Sequence, residues 1–153
     1  NLNFGYLLYA PNLFELYVKG LIEEVLGKFG GKFRLETQDK IPGSNLKPDF
    51  LIKDENAKIL AVLDAKYRHF YNAYLGETDC KNLLQIKRYA KKAGSNTGIL
   101  IYAKSNVANS IKGSWKNGIF ILNILENDDR LNADDFKKLL KEILDAINQK
   151  EIK

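Results

Sequence analysis

Two stretches, TGILIYAK (residues 97–104) and GIFILNIL (residues 118–125), are apolar at almost every position and rich in β-branched and aromatic residues. A strand of that kind has no polar face to offer water, so both read as central strands covered on both sides. Covering them takes helices, and the chain supplies three. In NLFELYVKGLIEEVLGKF, Phe14, Val18, Leu21, Ile22, Val25 and Phe29 recur at three and four residues, with Asn12 as N-cap behind Pro11 and Gly30-Gly31 as the stop. A second helix opens at Thr78 or Asp79 and runs to about Lys92, with Leu83, Ile86, Ala90 and Ala93 on its apolar stripe and Gly94 at its end. A third, capped by Asn132 or Asp134, carries Phe136, Leu139, Leu140, Ile143, Leu144 and Ile147 at helical spacing.

Between the first two helices lie KFRLETQ, a strand; DKIPGSNLKP, a loop; and two runs, DFLIK and KILAVLDAKY, joined by Asp54, Glu55, Asn56 and Ala57. A polar connection that short makes the two runs an antiparallel hairpin. RHFYNAYLGE reads as the loop that follows it. The element order is α, β, β, β, α, β, then β and α: an α/β protein with a mixed central sheet flanked by helices.

The chain has 153 residues, the size of one domain spanning 1–153. It starts at Asn1 and contains no methionine, which reads as a domain taken from a longer chain. Cys80 is the only cysteine, so an intrachain disulfide and a thiolate zinc site are excluded, in keeping with a reducing cytoplasm. No apolar run approaches the roughly 20 residues that span a bilayer. The net charge of +5 favours polyanionic partners.

Chemistry concentrates in KPDFLIKDENAKILAVLDAKYRHF, residues 47–70. Side chains alternate along a strand, so Asp64 and Lys66 share one face and Ala65 points to the other. If the hairpin pairs as expected, Asp49 at the start of one strand lies opposite the end of the next. Two carboxylates and an ammonium then converge. Crowded, half-buried acids require a compensating cation. Lys66 balances one of them, and a hard ion such as Mg²⁺, which prefers carboxylate, carbonyl and water oxygens, would balance the rest. The Ala65 carbonyl is a further possible ligand. Such a set suits phosphodiester hydrolysis, although D-x-K alone also describes an ordinary surface salt bridge. Glu15, at the margin of the first helix's buried stripe, reads either as a further acid of the same site or as a first-turn acid favoured by the helix dipole.

KPDF together with VLDAK resembles the PD-(D/E)xK nuclease motif, and the αβββαβ order resembles the restriction-endonuclease-like core of that superfamily. LFELYV, PDFLI, VLDAKYR and LLQIKRYA are, more narrowly, similar to the C-terminal nuclease part of McrC and LlaJI-like restriction subunits. The resemblance implies a DNA endonuclease with Asp49, Asp64, Ala65 and Glu15 around a catalytic Mg²⁺, for which Mn²⁺ substitutes. It implies Lys66 acting on the attacking water and Gln85 as a helix residue of the site, with Tyr89 one turn beyond. It also implies an AAA+ GTPase partner of the McrB type, engaged through a region not represented in this stretch, and a homodimer for double-strand cleavage. Repair or junction-resolving nucleases share the core and motif, and a catalytically silent binding module is the remaining alternative.

Lys87, Arg88, Lys91 and Lys92, with Lys104 after the following strand, read as phosphate contacts or as a solvated basic face. Arg68 belongs to an aromatic and basic loop with Tyr67, His69, Phe70, Tyr71 and Tyr74, which packs over the sheet edge or lines the cleft. Trp115 reads as packing, and the single histidine, His69, excludes a multi-histidine metal centre.

Overall fold

A computed structural model describes residues 11–70, 77–105, 118–125 and 133–152. Helix α1 (Pro11–Gly27) leads into β1 (Phe33–Thr37), β2 (Phe50–Asp54) and β3 (Ile59–Phe70). Helix α2 (Glu77–Ala93), β4 (Gly98–Ser105), β5 (Ile119–Leu125) and α3 (Ala133–Ile152) follow. This is the order expected from the apolar periodicities. The five strands form one sheet in chain order, β1-β2-β3-β4-β5. β1, β2 and β3 pair antiparallel, whereas β3-β4 and β4-β5 pair parallel, so the sheet is mixed.

Alternation along the strands divides the core in two. Phe50, Ile52, Leu63, Ile99, Ile101, Leu122 and Ile124 face α1 and α3, which bury Phe14, Val18, Ile22, Phe136, Leu140 and Leu144 against them. Leu51, Val62, Leu100, Tyr102, Ile119 and Ile121 face the other way, beneath Leu83, Ile86 and Ala90 of α2. Each fully buried large apolar side chain contributes roughly 1.5–3 kcal/mol. The helices are therefore held by their stripes rather than by helix propensity.

Four sequence expectations need correction. GIFILNIL is not central: β5 pairs only with β4 among the described residues, although both its faces are buried. An apolar run reports coverage of faces, not pairing along both edges. Helix α1 begins at Pro11, not after an Asn12 cap, because proline's fixed φ and missing N–H suit the first helical position. Thr78 and Asp79 likewise lie inside α2, and Asp134 inside α3. Finally, RHF is not loop. After an irregularity between Lys66 and His69, β3 pairs again with Lys104 and Ser105, so Arg68 to Phe70, and Lys104 itself, are strand. Tyr71, Tyr74, Trp115 and Asn132 lie outside the described residues.

Gly94 (φ 70°) ends α2 as expected. Gly118 (φ 70°) has a second constraint, since a Cβ there would stand 1.9 Å from the Asn96 carbonyl oxygen. No helix among the described residues is long and apolar enough to cross a membrane.

Candidate active site

The hairpin register places the acids. Phe50 pairs with Leu63, so Asp49, one residue earlier, meets Asp64, one residue later. The Asp49 N–H donates to Asp64 Oδ1 at 3.1 Å, and the Ala65 N–H donates to Asp49 Oδ2 at 2.9 Å. Each acid thus braces the other's strand. Asp64 is only 5% exposed, on the same sheet face as Val62, where a core strand would ordinarily carry an aliphatic side chain.

Lys66, two residues on, shares that face. Its Nζ lies 2.6 Å from Asp64 Oδ2 and donates to Gln85 Oε1 at 2.9 Å. Gln85 Nε2 in turn donates to the Tyr89 hydroxyl at 3.0 Å. Gln85 and Tyr89 are one turn apart on the edge of α2 beside the Leu83, Ile86 and Ala90 stripe. The same packing that buries the helix therefore lays its polar edge over the middle of β3. Asp64, Lys66, Gln85 and Tyr89 form a continuous polar chain from sheet to helix.

Glu15 enters from α1 by a different route. Gln38, just past the end of β1, donates from Nε2 to Glu15 Oε1 at 2.7 Å and to Asp49 Oδ1 at 3.1 Å. All of these except Gln38 line a cleft of about 310 Å³, together with Lys47, Ala65, Tyr67, Phe14 and Pro11. Tyr67 also packs on Phe14, ring centroids 5.8 Å apart, so its packing role is realised.

Of the residues singled out in the sequence, Glu15, Asp49, Asp64, Ala65, Lys66, Gln85 and Tyr89 are brought together. Lys87, Arg88, Lys91 and Lys92 are all exposed on α2, and none of them lines the cleft. Arg68 is half-buried on β3. Two residues were missed. Lys47 stands directly before Pro48-Asp49, and its place at the rim follows from a loop pinned by Ile41, which is fully buried and whose N–H donates to the Leu46 carbonyl. Gln38 carries no sequence signal.

A family model described as the McrBC 5-methylcytosine restriction system component matches residues 2–103. The chain belongs to that family. The match takes in every residue that lines the cleft, as well as Gln38. Among curated proteins and among solved structures, nothing matches significantly.

Burial and like charge together disfavour an ionised Asp49 in this family member's cleft. Asp49 has its carboxyl pushed up to about 7, first by burial and then by the Asp64 charge, with Glu15 adding to it and the Ala65 N–H opposing it. Because this value stands above the ordinary 3.8, the folded chain keeps a proton that the unfolded chain has released across the interval. The stability this lends is present at acid pH and is lost as pH rises through about 7. Metal-free melts should therefore show Tm falling from about pH 5 to about pH 8, and Asp49→Asn should flatten that fall by a few degrees. Equal slopes in the two proteins would contradict it.

A divalent cation would balance these acids. The donor set suits a hard ion: two facing carboxylates, a third one hydrogen-bond relay away, and an adjacent backbone carbonyl at Ala65. Among the described residues no three His, Cys, Asp or Glu side chains are grouped as a ready-made cage. Mg²⁺ typically takes one or two carboxylates and keeps several waters.

Proposed function

We propose that this member of the McrBC restriction family is the DNA-cutting module of its system, a metal-dependent endonuclease on a restriction-endonuclease-like PD-(D/E)xK core. The observation that carries the reading is the meeting of Asp49, Asp64 and Lys66 in one cleft, where burial and the neighbouring acids hold Asp49 near 7 beside Gln85 and Tyr89. A structural salt bridge would need only one acid. The crowding favours a cation, and a cation beside an ammonium favours a phosphate.

In this reading Asp49 and Asp64, with the Ala65 carbonyl and Glu15, hold Mg²⁺ or Mn²⁺. When bound, the ion supplies charge stabilisation at a phosphoryl oxygen and a water acidified towards neutrality. The chain's own groups do the rest. Lys66 commits two N–H groups to Asp64 and Gln85 and keeps a third for the attacking water or a phosphate oxygen. Tyr89, whose hydroxyl accepts from Gln85, has its own O–H to donate to the same phosphate. Lys47, which lines the cleft, adds backbone-directed positive charge at the rim, and the exposed Lys87, Arg88, Lys91 and Lys92 of α2 add to the field that draws in DNA. Attack of water on phosphorus leaves a 5′-phosphate and a 3′-hydroxyl, as in the nucleases the motif resembles.

Target choice and nucleotide-driven translocation then belong to an AAA+ GTPase partner, and double-strand cleavage to two copies of this chain. The test is relaxation and linearisation of supercoiled plasmid by the purified chain, with and without its partner, across a Mg²⁺ and Mn²⁺ series. Cleavage that depends on the divalent ion and is abolished by chelation is expected. DNA left intact in the full partner complex with both ions would overturn the reading.

A further inference from the structure

Gln38 occupies a backbone conformation that its side chain does not favour. Its φ is 53°, in the left-handed region where residues other than glycine, asparagine and aspartate are uncommon. Ala57, the other described non-glycine residue with positive φ, sits in the tight β2-β3 turn, which demands such a residue. Gln38 has no tight turn to explain it, since a loop of twelve residues separates β1 from β2. Strain of this kind persists where surrounding contacts fix it, and it concentrates at functional sites.

The contacts that fix it all lead to the cleft. The Gln38 N–H donates to the Asp49 carbonyl at 3.0 Å, so the left-handed turn is clamped to the residue that carries the central acid. Its side-chain amide then uses both hydrogens on carboxylates, Glu15 Oε1 and Asp49 Oδ1. These acids come from different parts of the chain, α1 and the residue leading into β2, and would otherwise repel. Gln38 also lines a neighbouring cavity of about 280 Å³ that shares Glu15 with the cleft, so its amide stands where the two cavities meet.

We propose that Gln38 is a positioning residue that ties Glu15 of α1 to Asp49 at the start of β2 and so sets the geometry with which the cleft takes a divalent cation. The inference rests on the metal-site reading above. A neutral amide suits that role because it satisfies two acceptors without adding a charge that would compete with the cation, whereas a lysine there would neutralise the site.

Gln38→Gly separates the role from the strain, because glycine accepts positive φ while lacking the amide. Tm of the metal-free variant should equal or exceed that of the native chain. The Mg²⁺ concentration giving half the maximal thermal shift should rise about tenfold, the usual lower bound for losing a residue that orients a metal ligand. In a Glu15→Ala background the same change should move that midpoint by no more than about twofold, since the tie has already lost one end. Gln38→Asn, which tolerates the backbone but is one methylene shorter, should fall between.

An unchanged midpoint in Gln38→Gly, with normal Mg²⁺ binding by the native chain, would overturn the role of Gln38 alone. So would a full tenfold effect persisting in the Glu15→Ala background, or a large fall in the metal-free Tm, which would make Gln38 a structural residue. Absence of any Mg²⁺-dependent shift in the native chain would overturn both this inference and the metal-site reading.

Discussion

Asp64→Asn is expected to lower divalent-dependent DNA cleavage about a thousandfold while leaving the chain folded. The amide keeps the shape of a buried side chain and can still accept the Asp49 N–H through its oxygen, so the Asp49–Asp64 contact between the strands stays closed. What it removes is charge. Lys66 loses the carboxylate 2.6 Å from its Nζ, and the cleft loses one of the two facing acids. The same loss relieves Asp49 of its nearest like charge, which helps to hold its carboxyl near 7. That relief offsets part of the cost of leaving Lys66 without its partner, so the metal-free variant should be destabilised less than Lys66→Met above neutral pH. Cleavage within about tenfold of native would remove Asp64 from the reaction.

Lys66→Met is the second large effect, and it separates stability from chemistry. The substitution keeps most of the aliphatic stem and deletes the ammonium that touches Asp64. Its side chain is 21% exposed and that of Asp64 7%, so the pair is largely shielded from water. Removing one partner of such a pair costs about 3 kcal/mol, because the remaining charge is left uncompensated. Urea melts near pH 8 without metal should show that loss, and saturating Mg²⁺ should restore much of it by replacing the missing positive charge. Cleavage should fall by a factor of about a hundred to a thousand even at saturating Mg²⁺, since the third N–H aimed at water or phosphate cannot be replaced. A variant that is destabilised yet cuts at the native rate would reduce Lys66 to a structural counter-ion.

The site was legible where one local rule fixed it. Period-two alternation put Asp64 and Lys66 on one face, and a short polar connection made the hairpin, but the register that brings Asp49 opposite Asp64 also depends on an irregularity between Ile52 and Lys53 that no local pattern announces. Helical spacing placed Gln85 and Tyr89 on a common edge, although that this edge roofs Lys66 depends on how α2 seats on β3 and β4, which no local pattern encodes. Gln38 was illegible for a deeper reason: its role arises from a left-handed φ and contacts 11 and 23 residues away in sequence. Lys47 lay next to the motif and was readable in principle, but its place at the rim required the loop pinned by Ile41. The basic residues of α2 are exposed as a solvated face would be, and none of the four lines the cleft, so their spacing alone does not assign them a phosphate. The length of β3 was hidden by the irregularity after Lys66, beyond which pairing with β4 resumes.

The central claim is that Asp49 and Asp64 form a divalent-cation site, and Mn²⁺ titration followed by electron paramagnetic resonance tests it without reference to activity. The expected result is saturable Mn²⁺ binding by the native chain that Mg²⁺ displaces, with binding lost in both Asp49→Asn and Asp64→Asn. Free Mn²⁺ signal undiminished by the native chain, or binding that survives in both variants, would contradict it.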